Sequence, residues 1–77
     1  AQPSLWSRLA AMTAPALLIA GQRDTKFVAL NEGLAVSIPN ATLRLIPDAG
    51  HVVQMEQPEA FLAAVTDFLE RLHENGR

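Results

Sequence analysis

Hydrophobic positions along the chain fall into five short blocks separated by proline, glycine and polar residues. Ser4 to Met12 predicts a short helix: Ser4 suits the N-cap, and Leu5, Leu9 and Met12 share one face with Trp6 beside them. Pro15 excludes its continuation, because the residue before a proline is pushed out of the α region. Pro15 to Gly21 (P-A-L-L-I-A-G) is apolar throughout and too short for a typical helix. It predicts a strand buried on both faces, the habit of parallel sheets. Gln22 to Lys26 is polar and reads as a loop. Phe27, Leu30, Leu34 and Ile38 then recur at helical spacing, so Phe27 to Ile38 predicts a helix, weakened by about 1 kcal/mol at Gly33 relative to alanine. Pro39-Asn40 ends it. Thr42 to Ile46 alternates at Leu43 and Leu45 and predicts a second strand. Pro47 to Gln57 has no clear period, and a connection of that length inside a compact unit tends to carry function. Pro58 to His73 predicts the strongest helix. Pro58 suits its first position, Glu59 suits the positive end of its dipole, and Phe61, Leu62, Val65, Phe68, Leu69 and Leu72 form a wide apolar stripe. Asn75-Gly76 stops it.

The order helix, strand, helix, strand, helix makes the fold class α/β, with a right-handed parallel crossover at its centre. Two parallel strands of buried type do not complete a sheet, since they demand neighbours on both faces and edges. The expected architecture is therefore the tail of a larger α/β sheet. Seventy-seven residues allow at most one small domain. A chain of this size buries only about 60% of its unfolded surface, which leaves its core marginal. It begins with Ala rather than Met, which fits an expectation that a segment has been removed upstream.

Composition narrows the functional classes. There is no cysteine, which excludes disulfides and thiolate metal sites. Six basic and eight acidic residues give a net charge of −2, with no cluster of Lys and Arg to grip nucleic acid. The longest apolar run, Ala14 to Ala20, is far below the roughly 20 residues of a membrane span. No charged segment followed by an apolar one marks a signal peptide. A cytoplasmic location is the expectation.

Two residues stand out by position. Asp24 lies just past the carboxyl end of the first predicted strand, and His51 lies past the carboxyl end of the second. Ligands of open α/β sheets bind outside the carboxyl ends of the strands. If the two strands are adjacent and parallel, both side chains emerge at one edge, since neighbouring strands run about 4.8 Å apart. A carboxylate beside an imidazole fixes its tautomer and stabilises the imidazolium, which makes two parts of a three-part nucleophilic relay. Blander roles are open for each residue taken singly: Asp24 as a turn residue or helix cap, His51 as a surface loop histidine. His73, near a helix C-terminus, reads as solvated.

G-Q-R-D after one strand and D-A-G-H after the next resemble the last two β/α units of the α/β-hydrolase family. In that family the nucleophile, acid and histidine follow in the order Ser, Asp, His. The closing helix, opened by M-E-Q-P-E, is also similar to that fold's C-terminal helix. Q-P-S-L-W (Gln2 to Trp6) and G-Q-R-D-T-K-F (Gly21 to Phe27) are similar to segments of one branch, the 2-succinyl-6-hydroxy-2,4-cyclohexadiene-1-carboxylate synthases of menaquinone biosynthesis. G-x-x-D alone is shared with esterases, haloperoxidase-like proteins and C–C bond hydrolases.

The resemblance implies that residues 1–77 are the C-terminal β-α-β-α portion of an α/β-hydrolase domain, an incomplete sheet without the nucleophile and cap regions. No Gly-x-Ser-x-Gly occurs, and none of Ser4, Ser7 and Ser37 is flanked by glycines on a strand-to-helix elbow. The resemblance further implies that His51 acts as general base on a serine outside the 77 residues and that Asp24 orients it. In the menaquinone branch the serine–histidine unit abstracts a substrate proton, and the electrons expel pyruvate by 2,5-elimination. No metal or organic cofactor is implied. The partner expected for the complete enzyme is a small-molecule substrate. The chain alone is expected to be inactive, and to self-associate or dock to the missing N-terminal part. Trp6, Lys26 and Phe27 are candidate substrate-binding residues; Lys26 and Phe27 match the branch's motif and read more plainly as supports of the acid loop, and packing is the plainer role for Trp6. Two other readings are open: a fragment of an esterase or C–C bond hydrolase, and a non-catalytic module that self-associates or docks on a partner.

Overall fold

The structure is a computed structural model that describes residues 4–75. Gln2 and Pro3 of the Q-P-S-L-W segment, and Gly76 of the predicted helix stop, lie outside the described residues. The element order is α1 (Leu5–Ala10), β1 (Ala16–Gly21), α2 (Thr25–Ser37), β2 (Ala41–Ile46), α3 (Val53–Glu56) and α4 (Pro58–Asn75). All five elements expected from the sequence are present. The sixth, α3, falls inside the Pro47 to Gln57 stretch read as a loop, because four residues are too few for a hydrophobic period to register.

Strands β1 and β2 pair in parallel, with Ala16 opposite Ala41 and Gly21 opposite Ile46. The two strands therefore end at the same level, and the chain leaves both at one edge. The Gln22 N–H continues the ladder by donating to the Ile46 carbonyl at 2.9 Å. Helix α2 makes the connection between the strands. It starts at Thr25, two residues before the expected Phe27, because Asp24 caps it: the Phe27 N–H donates to Asp24 Oδ1 at 3.1 Å. Helix α1 is shorter than Ser4 to Met12, but its cap is the expected one, with the Ser7 N–H donating to Ser4 Oγ at 3.1 Å.

Burial departs from the predicted stripes in informative ways. In α2 the buried residue is Asn31, not Leu30, which is exposed. Asn31 pays no penalty for an unpaired amide, since its Nδ2–H donates to the Phe27 carbonyl at 2.8 Å. The inward face thus runs through Phe27, Asn31 and Ile38. In α4 the most buried residue is Ala64, while Leu62 and Leu69 of the apolar stripe are exposed. Ala64 belongs to a cluster of buried residues with Ile46, Ala49 and Val53, against which Ile19, Ala60 and Phe61 pack. Strand β1 was expected to be buried on both faces, yet only Ala20 and Gly21 are buried and the rest is half-buried. Strand β2 keeps the expected alternation, with Thr42 and Arg44 outward.

The result is a slab of 41 × 36 × 15 Å. Its radius of gyration is 13.7 Å, against about 11.5 Å for a compact domain of this length. No large side chain among the described residues is fully buried. The sheet has only two strands, with α2 and α4 packed against them.

Candidate functional site

The site forms where the two strands end. Asp24 divides its carboxylate between two tasks. Oδ1 caps α2, and Oδ2 lies 2.9 Å from His51 Nδ1. One oxygen of Asp24 thus caps the helix while the other meets the imidazole. These contacts hold the Asp24 carboxyl below its ordinary value of 3.8, first through the hydrogen bond from His51 and then through the Phe27 N–H, with partial burial opposing them. An ionised carboxylate only accepts hydrogen bonds. His51 Nδ1 must then carry the proton and donate it, which leaves Nε2 of the neutral ring as a base. The His51 side chain is 73% exposed, whereas that of Asp24 is 20% exposed. Among the described residues none hydrogen-bonds Nε2.

The lowered carboxyl has a consequence for stability. Its contribution is complete above 3.8 and disappears as the pH falls through the lower folded value. We expect acid titration below pH 3.8 to weaken the chain as Asp24 takes up its proton. The Asp24→Asn variant should lack that component, and thermal melts of the two proteins from pH 6 down to about pH 2 would show it. Parallel melting curves for both would contradict the assignment of the lowered carboxyl to Asp24.

The loop that carries His51 is tied down residue by residue. Asp48 has a positive φ of 57°, a left-handed turn position that aspartate tolerates. Its carbonyl accepts the Gln57 Nε2–H at 3.1 Å, and its carboxylate meets Arg23 at 3.3 Å. The Ala49 carbonyl accepts the Arg23 N–H at 2.9 Å. The Gly50 and Val52 N–H groups donate to the two oxygens of Glu56. The backbone of Ala49 and Gly50 lies directly on Gly21, whose missing Cβ leaves the room.

Of the other residues singled out from the sequence, Phe27 joins the site. Its ring meets that of His51 edge-on, with centroids 5.3 Å apart and planes at 76°. Lys26 is exposed in the first turn of α2 and adds only a minor favourable charge to Asp24. Trp6, on α1 and half exposed, has no hydrogen bond or ring contact with the pair among the described residues. His73 is exposed in the last turn of α4, as expected. The three serines serve their own helices: Ser4 and Ser7 hydroxyls lie 3.0 Å apart on α1, and Ser37 Oγ–H donates to the Gly33 carbonyl at 3.0 Å.

Sequence reasoning missed Glu56, Gln57 and the steric demand at Gly21. An acidic residue shortly before Pro58 was visible, but its purpose depends on α3. A cavity of about 380 Å³ lies elsewhere, between β2 and α4, with Thr42, Arg44, Asp67, Phe68 and Arg71 in its walls. No residue of the Asp24 or His51 loops lines it, so the chemistry and the concavity do not coincide, and we place the site at the strand ends because the paired ionisable groups are there. Among the described residues no group of three or more His, Cys, Asp or Glu is placed to hold a metal ion. No described helix is long and apolar enough to cross a membrane.

Comparison with known proteins bears on this geometry. No family model matches the chain. A Bacillus subtilis (strain 168) protein provisionally named 2-succinyl-6-hydroxy-2,4-cyclohexadiene-1-carboxylate synthase is 44% identical over 68 residues, covering 88% of this chain and 25% of the relative. A Pseudomonas putida 2-hydroxy-6-oxononadienedioate/2-hydroxy-6-oxononatrienedioate hydrolase is 40% identical over 70 residues, covering 88% of this chain and 24% of the relative. The solved structure of MenH from S. aureus superposes with a TM-score of 0.84 at 36% identity, covering 90% of this chain and 26% of that one. The chain therefore spans about a quarter of the length of the proteins it matches. Its fold is the C-terminal β-α-β-α portion of the α/β-hydrolase fold, with two parallel strands in an open sheet.

Proposed function

We propose that Asp24 and His51 are the acid and base of a Ser–His–Asp relay whose serine lies on a part of the α/β-hydrolase fold not contained in these 77 residues. The observation that carries the reading is the 2.9 Å contact between Asp24 Oδ2 and His51 Nδ1, on an exposed imidazole. Asp24 fixes the tautomer and steadies the imidazolium. His51 Nε2 takes the serine's proton, and the activated serine in turn removes a proton from the substrate. The 44% identity to the Bacillus subtilis relative favours a substrate of the menaquinone pathway, from which the freed electron pair expels pyruvate and leaves 2-succinyl-6-hydroxy-2,4-cyclohexadiene-1-carboxylate. Lys26 and Phe27 act as supports: the Phe27 N–H donates to Asp24 Oδ1 and its ring braces the imidazole. The isolated chain is inactive on this reading, because none of its three serines reaches the pair. The half-buried, uniformly apolar β1 would receive the missing strands along its free edge.

A second reading has its own support. The Pseudomonas putida relative is a hydrolase acting on 2-hydroxy-6-oxononadienedioate, at nearly the same identity. The same dyad would then serve the hydrolytic cleavage of a C–C bond in a dienedioate.

A segment swap separates the two. Residues of this chain would replace the matching 68-residue segment of the Bacillus subtilis relative, and a second hybrid would be built on the Pseudomonas putida relative. Pyruvate release from the menaquinone intermediate by the first hybrid, with little dienedioate cleavage by the second, is the expected result. The converse pattern would replace the first reading with the second. Folded hybrids that turn over neither substrate would overturn both.

A further inference from the structure

Glu56 stands five positions beyond His51, at the last residue of α3, and its carboxylate turns back over the loop. Oε1 accepts the Gly50 N–H at 3.1 Å, and Oε2 accepts the Val52 N–H at 3.2 Å. Those two amides flank His51 on either side. We propose that Glu56 is a positioning residue for His51, gripping the backbone before and after it so that Nδ1 stays aimed at Asp24. The proposal rests on the reading of Asp24 and His51 as a working pair.

Helix capping alone does not account for the arrangement. Val52 is the N-cap of α3 and has no side-chain cap of its own, so a carboxylate on its N–H is ordinary N-terminal chemistry. Gly50 lies outside the helix, on the far side of His51, and its N–H gives the helix nothing. One carboxylate spanning both makes His51 the centre of a closed bracket. Hydrogen bonds to an ionised acceptor are roughly twice as strong as neutral ones, which suits Glu56 to fixing a loop at an exposed edge. Gly50 eases the approach, since a Cβ there would stand a tight 3.2 Å from both carboxylate oxygens. The remaining ties, Gln57 to the Asp48 carbonyl and the Arg23 N–H to the Ala49 carbonyl, stop short of His51. Among the described hydrogen bonds, only the Glu56 carboxylate takes the Gly50 and Val52 N–H groups; the Val52 carbonyl is held separately by the Met55 and Glu56 N–H groups, each at 3.1 Å. A relay needs its base held within about half an ångström of the productive position, and the supporting contacts decide whether it is.

The test reads the imidazole itself. Nitrogen NMR of the 77-residue chain, at a pH where both rings are neutral, reports which ring nitrogen of His51 bears the proton, with exposed His73 as the internal reference. The native chain should hold the His51 proton on Nδ1. Glu56→Ala should move the His51 signals toward those of His73 while the amide signals of β1, β2 and α4 stay in place. Glu56→Gln, which keeps one acceptor, should fall between. A role confined to stabilising α3 would change the α3 amides and leave the His51 nitrogens where they were, and that result overturns the proposal. If Glu56→Ala unfolds the chain, the isosteric Glu56→Gln decides on the same criterion. Asp24→Asn separates this inference from its premise. If His51 responds to Asp24→Asn but to neither folded Glu56 variant, the bracket fails and the pair stands. If His51 ignores Asp24→Asn as well, the pair itself fails.

Discussion

In a hybrid that supplies the serine, Asp24→Asn lowers turnover by about 10⁴-fold, the size of effect known when the acid of such a relay becomes an amide. The reason is the tautomer. An asparagine at position 24 still caps α2, because its carbonyl oxygen can accept the Phe27 N–H that Asp24 Oδ1 accepts now. The other atom facing His51 becomes an N–H₂ donor, which can bond Nδ1 only if Nδ1 has lost its proton. The proton moves to Nε2, and the base is gone from the side where the serine would stand. His51→Ala should be at least as damaging. His73→Ala, at an exposed site on α4, should leave turnover unchanged. Kinetics of the three variants check the assignment, with thermal melts confirming that Asp24→Asn remains folded at neutral pH. Equal losses from His51→Ala and His73→Ala would remove His51 from its role.

Gly21→Ala destabilises the chain by about 3 kcal/mol, near the top of the range for forcing added atoms into a packed place. A Cβ at position 21 would collide with the carbonyl oxygens of Gly50 and Ala49 and stand 2.6 Å from the Ala49 carbonyl carbon. All of these are backbone atoms, so no side chain can swing aside to relieve the overlap. They also belong to the loop that ends in His51, and that loop is already fixed to the segment after β1 by the Arg23 N–H and to Glu56. Either the loop lifts and His51 leaves Asp24, or β1 loses its end. Domain stability runs at roughly 0.1 kcal/mol per residue, so a loss of this size takes a large share of what a chain of this length has. Gly33→Ala is the matched control. Nothing lies within 4 Å of its Cβ position on exposed α2, and the change should stabilise by about 1 kcal/mol by removing the helix penalty of glycine. Urea unfolding of the two variants should shift in opposite directions. A Gly21→Ala chain as stable as the native one, with its His51–Asp24 contact intact, would show that the loop does not rest on Gly21 as described.

The slab leaves large apolar side chains exposed on its helices. Leu62 and Leu69 on α4, Leu30 on α2 and Met55 on α3 all point into solvent. In α2 and α4 the sequence stripe was wide enough to be covered on more sides than two strands can cover. The stripes therefore record a larger neighbourhood than the described residues provide, in keeping with a chain that spans a quarter of its relatives.

Much of this protein is written in local patterns. The apolar run from Ala16 to Gly21 and the alternation at Leu43 and Leu45 determine two strands, because side chains on a strand alternate and a strand in a parallel sheet is apolar throughout. Pro58, Glu59 and the stripe behind them determine α4. The positions of Asp24 and His51 after successive strands, in the setting of G-Q-R-D and D-A-G-H, determine that an acid and an imidazole leave the sheet at one edge. What depends on atoms far apart in the chain was decided only by the tertiary structure. The equal ends of β1 and β2 set the 2.9 Å contact between residues 27 positions apart. Gly21 is indispensable because of a backbone that arrives from residues 49 and 50. Asn31 replaces Leu30 inside because the buried face of α2 is chosen by where the strands lie. Glu56 acquires its place from a helix of four residues, too short to leave a period, whose turn returns a carboxylate to both sides of His51. Periodicity encodes which face of an element is apolar, but only the folded chain determines which atoms meet across it.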